Sequence, residues 1–150
     1  MNKAYVKDII SEKGTKVWTV PSDATAFQAL EKMADKNIGT VVVTEGENNV
    51  VGIMSERDYA RKVILRGRAS KETPVSAIMT TDVLCVGPDN TCEDCMQLFT
   101  NKRVRHLPVM ENDNLIGIVS IGDVVNKIIS EQETALADLE KYISGIGYGY

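Results

Sequence analysis

A hydroxyl and a carboxylate three residues apart occur twice in this chain, each pair directly after a short apolar strand pattern. The pairs are Ser55 with Asp58 and Ser120 with Asp123. An ionised carboxylate only accepts hydrogen bonds, so its two oxygens can take both hydroxyls of a vicinal diol such as a ribose. A helix that begins at the same place offers unpaired backbone N–H groups, which suit a phosphate. The pattern therefore has the chemistry of nucleotide recognition.

The same spacing has a second interpretation that involves no ligand. Serine at the N-cap and an acidic residue at N3 resemble a capping box, in which the two side chains bond the first backbone N–H groups of the helix. Two occurrences at matched places favour a ligand, but a cap can be duplicated together with the helix that carries it. The residues alone leave both interpretations open.

Both pairs lie in an internal duplication. Gly-Ile-Met-Ser-Glu-Arg-Asp at 52–58 returns as Gly-Ile-Val-Ser-Ile-Gly-Asp at 117–123. The match extends upstream, where Asp89 lies 66 residues after Asp23. A short helical segment precedes each copy, with Val6 matching Val75. Duplication of this extent predicts two equivalent structural units.

Each copy is predicted to follow the order β-α-β-β-α. In the first copy we expect a strand over 17–20, a helix capped by Asp23 or Thr25, a hairpin turning at 45–49 and a second helix over 55–65. The second copy repeats this order over 84–129. We therefore predict an α+β fold of two repeats, packed sheet against sheet about a pseudo-two-fold axis.

The predicted domains are 1–70, 71–130 and a C-terminal segment over 131–150, which holds a helix and a Gly/Tyr tail. Ser130 and Glu133 have capping-box spacing, which would allow the last helix to break there.

Composition excludes several classes of protein. The chain has 150 residues, 43% hydrophobic and 25% charged, as in ordinary soluble domains. No apolar run approaches the roughly 18 residues of a membrane span, and no secretory signal is visible. A net charge of −4 disfavours general nucleic-acid binding. An odd number of cysteines, three, without disulfide-scaffold spacing favours a reducing compartment, and we expect the cytoplasm.

The sequence lacks the residues that the common catalytic sites require. His106 is the only histidine, so neither a zinc site nor a Ser-His-Asp triad can be assembled, and no catalytic residue or metal ligand is predicted. Cys92 and Cys95 form a C-x-x-C near a helix start, where a thiol pKa can be lowered, so a thiol-redox protein is an alternative. The repeat aligns these cysteines with Ala26 and Ala29, which favours small packed residues instead.

Several of these features together resemble a tandem pair of CBS domains (named from cystathionine β-synthase), or Bateman module, over roughly 6–129. They are the element order, the Pro/Asp/Thr start of each first helix, Arg-His-Leu-Pro-Val at 105–109 and the two Gly-x-x-Ser-x-x-Asp ends. The resemblance to stand-alone bacterial and plant proteins of this type implies binding of AMP, ADP, ATP, S-adenosylmethionine or NAD in clefts between the domains. Ser55 with Asp58, and Ser120 with Asp123, would hold the ribose.

The resemblance also implies the remaining contacts. The adenine would lie against apolar walls, which we assign to Ile38, Ile53, Val104, Ile118 and, unless it is a core residue, Trp18. Arg105 and His106 would meet phosphate, and Gly39 and Thr40 replace them in the first copy, so the Asp123 site suits a charged tail better. Arg68 could reach a phosphate near Asp58.

The implied function is regulatory and non-enzymatic. An adenine nucleotide such as AMP, ATP or NAD would be sensed by a homodimer and reported to an unidentified effector protein, with no membrane or nucleic-acid partner. A structural or interaction dimer that binds no ligand is the other alternative besides redox chemistry.

Overall fold

The computed structural model describes residues 3–147, with side chains described as far as residue 143. Its elements in chain order are α1 (Val6–Lys13), β1 (Thr19–Pro21), α2 (Ala26–Lys36), β2 (Thr40–Glu45), β3 (Asn49–Ser55), α3 (Glu56–Tyr59), a π-helical turn (Ala60–Ile64), a 3-10 turn (Val75–Ala77), α4 (Cys92–Lys102), β4 (His106–Glu111), β5 (Asn114–Ser120) and α5 (Ile121–Gly147).

The described residues divide into two compact units. The Asp58 unit contains Lys16–Cys85 and Met110–Gly117. The Asp123 unit contains the described residues up to Thr15, then Val86–Val109, and those from Ile118 onward. The domain boundaries predicted at residues 70 and 130 separate the two copies of the sequence repeat, and they stay a prediction.

The Asp58 unit has the predicted β-α-β-β-α order. Its sheet has the order β1-β2-β3, with β1 parallel to β2 and the β2–β3 hairpin antiparallel. Of the two candidate caps, Thr25 begins α2, since its side chain accepts the Gln28 N–H and the Gln28 side chain accepts the Thr25 N–H. The core lies between α2 and the sheet, where Met33 and Met54 are almost fully buried. The α+β class is confirmed.

Glycine at position 52 lets a later segment lie directly on β3. A Cβ there would overlap the Met79 side chain and lie 3.0 Å from the Thr80 carbonyl oxygen. Because Gly52 has no Cβ, Ile53 and Thr80 can approach and exchange two backbone hydrogen bonds of 3.0 and 2.8 Å. The glycine of this Gly-x-x-Ser-x-x-Asp end is therefore required by close packing at the strand that leads to Ser55.

The two short segments that precede the copies each pack with the other copy. The 3-10 turn Val75–Ala77 lies in the Asp58 unit, where the Val75 N–H donates to the Ala24 carbonyl at 2.7 Å. Helix α1 lies in the Asp123 unit, where the Val6 N–H donates to the Asn90 carbonyl at 2.9 Å. This exchange decides which charged side chains reach which site.

The prediction of a first strand near Leu84 in the second copy was wrong. Within the described residues only an isolated parallel bridge joins Val86 to Val109, and the strands β4 and β5 form a two-stranded sheet. In the first copy the Val42 N–H donates to the Trp18 carbonyl at 3.2 Å.

The repeat explains the missing strand. It places Pro108 at the position of Val42, and proline has no N–H, so the bond that would hold Leu84 cannot form. Only the bond from the Val86 N–H to the Pro108 carbonyl, at 3.0 Å, remains.

Helix α5 runs without interruption across Ser130 and Glu133, so the break that their spacing allowed does not occur. The Thr134 hydroxyl donates to the Ser130 carbonyl at 3.1 Å, as it does inside a regular helix. The last residues of the Gly/Tyr tail, 148–150, lie outside the described residues. A search of the described helices for one long and apolar enough to span a membrane finds none.

Candidate functional site

The first Ser-x-x-Asp pair closes the start of α3. The Ser55 N–H donates to Asp58 Oδ2 at 2.9 Å, and the Asp58 N–H donates to Ser55 Oγ at 3.1 Å. Asp58 Oδ1 lies 3.2 Å from Lys62 Nζ, which also donates to the Ile78 carbonyl at 2.9 Å. Both carboxylate oxygens of Asp58 therefore already have a partner within the Asp58 unit.

The second pair closes the start of α5 in the same way but leaves more of the carboxylate available. The Ser120 N–H donates to Asp123 Oδ2 at 2.9 Å, and the Asp123 N–H donates to Ser120 Oγ at 3.1 Å. Lys13, from α1, donates to the same Oδ2 at 2.6 Å and to the Ile118 carbonyl at 3.0 Å. Since these contacts converge on Oδ2, Oδ1 can accept a hydrogen bond from a ligand hydroxyl.

Opposite charges surround Asp123 within its unit. Burial raises the pKa of the Asp123 carboxyl, but the hydrogen bonds from Lys13 and Ser120 outweigh burial and hold that pKa below its usual value. Burial and the charge of Lys13 lower the pKa of His106, with a smaller contribution from Arg105 and against the effect of Asp123. At neutral pH the cluster therefore combines an ionised carboxylate, two cations and a neutral imidazole.

Both Ser-x-x-Asp pairs form the hydrogen bonds of a capping box, at the start of α3 and at the start of α5. A third carboxylate does the same elsewhere: the Thr91 N–H donates to Asp94 Oδ2 at 2.9 Å, and the Asp94 N–H donates to Thr91 Oγ1 at 3.0 Å. A carboxylate has about four lone-pair sites, so one capping oxygen does not prevent the other from binding a ligand. The ribose role of the two pairs stays a prediction, and Asp94 offers a capping carboxylate against which to measure it.

The duplicated sites differ in their cations, and sequence reasoning missed the lysines responsible. Lys62 lies four residues after Asp58 and pairs with it, a spacing that could have predicted the contact. Its repeat counterpart, Lys127, instead pairs with Glu12 at 2.7 Å and Glu131 at 3.3 Å. Lys13 takes its place at Asp123, and no local pattern in the sequence indicates that α1 packs there.

The predicted phosphate contacts fall mainly on the Asp123 unit. Arg105 is exposed and its carbonyl accepts the Ile121 N–H at 3.0 Å, which fixes the backbone of Arg105 beside the start of α5. The corresponding carbonyl in the Asp58 unit belongs to Gly39, and a Cβ built there would lie 3.5 Å from the Glu56 carboxylate. The Asp58 site therefore has an acidic group near the place where, in the Asp123 site, the Arg105 side chain begins.

Arg68, the remaining predicted phosphate contact, is exposed near the end of the helical segment that follows Asp58. Its N–H donates to the Val63 carbonyl at 3.0 Å. No contact of its side chain with Asp58 is observed among the described residues, so its phosphate role stays a prediction.

The predicted adenine walls are all half-buried and stay predictions as ligand contacts. They are Ile38, Ile53, Val104, Ile118 and Trp18. Ile38 packs against the core of the Asp58 unit. The Trp18 ring has the ammonium groups of Lys16, Lys32 and Lys36 at 4.7, 5.8 and 4.4 Å from its centroid, which places it at the surface of its unit rather than in the core.

Two surface grooves lie away from both pairs. One, of about 710 Å³, is lined by residues of α1 and α5 together with Lys3 and Tyr5. The other, of about 840 Å³, is lined by β1, α2 and the turn between them. Within the described part of the chain, no three histidine, cysteine, aspartate or glutamate side chains are grouped as a metal site would require.

The C-x-x-C pair lies inside the Asp123 unit. Cys92 and Cys95 are 2% and 0% exposed. Burial raises the pKa of both thiols, that of Cys95 to about 12. Because the thiolate is the reactive form, this environment opposes the redox alternative.

We expect thiol labelling under native conditions to separate the three cysteines. Cys85 is exposed and should be modified first, whereas Cys92 and Cys95 should react slowly because they are shielded and protonated. The measurement is the time course of an aromatic disulfide reagent, with labelled positions identified by mass spectrometry and the denatured protein as the control for all three. Rapid labelling of Cys92 or Cys95 in the folded protein would restore the redox alternative.

Comparison with known families accounts for most of the chain. The family model of the CBS domain matches residues 6–65 and again 75–130. The chain is 40% identical over 152 aligned residues to the mitochondrial CBS domain-containing protein CBSX3 of Arabidopsis thaliana, an alignment that covers 95% of this chain and 73% of that protein.

Solved structures share the fold. The CBS-domain containing protein ATU1752 from Agrobacterium tumefaciens is 41% identical, with a TM-score of 0.77 over 82% of this chain and 98% of that one. The CBS domain pair of protein MJ0100, solved with 5′-methylthioadenosine and S-adenosyl-L-methionine, is 19% identical, with a TM-score of 0.75 over 87% of this chain and 99% of that one. At that identity the second likeness concerns the fold alone.

Proposed function

This chain belongs to the CBS-domain family, and from that membership we propose that it is a non-catalytic regulatory module that binds adenosyl ligands at its Ser-x-x-Asp pairs. The MJ0100 pair binds two adenosyl compounds, which supports an adenosyl ligand here. The observation that carries the proposal is the cluster at Asp123, where a carboxylate oxygen suited to a ribose hydroxyl lies close to Lys13, Arg105 and His106.

The cations favour a ligand with a phosphate tail at the Asp123 site. Guanidinium and ammonium groups form charge-assisted hydrogen bonds with phosphate, and a neutral imidazole can donate one more. AMP, ATP and NAD carry such a tail, whereas S-adenosylmethionine has a sulfonium and an amino group. We therefore assign AMP, ATP or NAD to this site.

The Asp58 site is proposed to accept an adenosyl ligand with less negative charge. Glu56 lies near the position that corresponds to Arg105, and Lys62 is the cation at the carboxylate. An anionic tail there would depend on Arg68, which is exposed.

Lys13 offers a means of coupling ligand to structure. The Lys13 ammonium donates to the Asp123 carboxylate, and the phosphate of a bound nucleotide would compete for that ammonium. Helix α1 is tied to α5 through Glu12 and Lys127 as well, so a change at Lys13 acts on the packing of α1 against α5. For this to signal, the ligand must bind one arrangement of these helices better than the other.

We propose that a homodimer carries the signal to a separate effector protein. The cytoplasm remains our proposal for the compartment; the name of the Arabidopsis relative gives a mitochondrial one for that protein.

A panel of ligands tests the proposal by thermal unfolding. A ligand present at about 100 times its dissociation constant adds ~2.7 kcal/mol to the free energy of unfolding, which for a chain of this size raises the melting temperature by roughly 5–10 °C. We expect AMP, ATP or NAD to give such a shift and guanosine monophosphate and ribose 5-phosphate to give none.

The absence of a shift with every member of the panel, including S-adenosylmethionine, would overturn the proposal. It would favour the structural or interaction dimer, in which the pairs only close their helices. The complete set of partners already present at Asp58 is the observation that favours this alternative.

A further inference from the structure

The second half of α5 has no packing partner within the described chain. The match to the CBS family ends at residue 130, and α5 continues to Gly147. All described side chains from Gln132 to Ile143 are exposed, including Leu136 at 60%, Leu139 at 52% and Ile143 at 47%. An exposed helix of this length is marginal in water, and a run of exposed large apolar side chains marks an interaction surface.

The exposed apolar residues follow a heptad repeat. Ile129, Leu136 and Ile143 are seven residues apart and take the a positions. Val125, Gln132 and Leu139 take the d positions. Residues that recur with this period form one seam along a helix, the seam through which two helices wind into a left-handed coiled coil.

This seam faces away from the unit to which α5 belongs. The side of α5 that packs on the Asp123 unit carries Val124, which is fully buried, and Lys127, whose side chain is 9% exposed. At ~100° per residue the seam lies roughly a third of a turn around the helix from that side. The seam extends over ~27 Å from Val125 to Ile143.

We infer that a second copy of this chain covers the seam, with the two α5 helices parallel and in register from Val125 to Ile143. In that arrangement each Gln132 faces the other Gln132, and the two amides can hydrogen bond to each other. In an antiparallel pair the amide would face an apolar side chain. A polar residue at one core position sets the register of coiled coils in this way.

Charge also selects the parallel pair. Glu133 and Glu140 occupy the e positions, which face each other in an antiparallel coil and would place like charges together. In a parallel coil they face the g positions, which are the uncharged Ile128 and Ala135. The seams of two α5 helices are therefore complementary when the helices are parallel and not when they are antiparallel.

The inference specifies the surface of the proposed homodimer but uses none of the ligand-binding residues. The seam begins at Val125, inside the family match, and most of it lies beyond residue 130, where that match ends. The inference holds whether or not a nucleotide binds.

Engineered disulfides test both the contact and its orientation in the full chain. In a Cys85→Ser background, which removes the exposed native thiol, Leu139→Cys places a thiol at a d position and Lys141→Cys places one on the outer face. Parallel helices in register bring the two Leu139→Cys thiols within disulfide reach, so we expect about tenfold more covalent dimer from Leu139→Cys than from Lys141→Cys. Equal and low yields from both variants would overturn the inference.

A charge in the seam provides the second measurement. Leu136→Glu added to the Leu139→Cys protein should abolish the disulfide dimer, whereas Thr134→Glu, on the outer face, should not. Thermal unfolding of both variants checks that the fold is retained. A dimer yield unchanged by Leu136→Glu would contradict a coiled coil through this seam.

The ligand panel, run on the same proteins, keeps the two proposals separate. A ligand-induced shift without the Leu139→Cys disulfide would leave the proposed function standing and remove the coiled coil. A disulfide without any ligand-induced shift would leave the coiled coil standing and remove the proposed function.

Discussion

Asp123→Asn is expected to weaken binding of an AMP-type ligand at that site by about 10- to 100-fold. Asparagine keeps a carbonyl oxygen that can accept the Ser120 N–H, so the start of α5 is retained. It loses the second acceptor oxygen and the negative charge, and a hydrogen bond to a charged group contributes ~1.5–3 kcal/mol. Isothermal titration calorimetry measures the dissociation constant and the number of sites.

The chain supplies a matched control in Asp94→Asn. Asp94 closes α4 with the same two bonds that Asp123 makes at α5, but it lies outside both predicted sites. Asp94→Asn should lower the melting temperature less than Asp123→Asn does, because Asp123 also pairs with Lys13, and it should leave ligand affinity unchanged. If Asp123→Asn and Asp58→Asn bind the ligand as well as Asp94→Asn does, the carboxylates serve their helices alone.

Sequence patterns predicted the first copy well because its contacts are local. Hairpin turns, helix caps and short apolar strands are properties of neighbouring residues, and Thr25 caps α2 as one of the two predicted candidates. The missing strand of the second copy could also have been predicted, because Pro108 stands where the repeat requires an N–H donor.

The arrangement around Asp123 could not be predicted in the same way. Lys13 lies 110 residues before Asp123, and its contact depends on α1 packing with the second copy rather than the first. That choice is made by tertiary packing, for example by the bond from the Cys92 N–H to the Ala4 carbonyl at 2.9 Å. The motif identified the carboxylate, and only the fold identified its cation.

The two carboxylate sites differ because the equivalent lysines, Lys62 and Lys127, have different partners. In the Asp58 unit Lys62 neutralises the carboxylate from within its own helical segment, so this ion pair needs no cation from another helix. In the Asp123 unit Glu12 and Glu131 hold the equivalent lysine, Lys127, which leaves Asp123 to a lysine on another helix. In the Asp123 unit the cap is therefore also a contact between α1 and α5, and the proposed ligand would compete for it.

The double variant Lys13→Met with Arg105→Ala is expected to lose selectivity for phosphate rather than adenosyl binding as such. Each removed cation costs one charge-assisted contact, so the affinity for AMP should fall by about 100-fold or more. Adenosine has no phosphate and should bind as well as before, because its ribose would use Asp123 Oδ1, whereas Lys13 bonds Oδ2. Calorimetry with AMP and adenosine gives the ratio of the two dissociation constants, which should approach one.

Lys62→Met is the matched control for that variant, since it removes the cation from the other carboxylate with the same change of side chain. It should leave the ratio at the Asp123 site unchanged. The AMP affinity of the wild-type protein should also fall with added salt more steeply than that of the double variant, because screening weakens only the charged contacts. An equal loss of AMP and adenosine binding in the double variant would mean that Lys13 and Arg105 support the shape of the site instead of selecting the charge of its ligand.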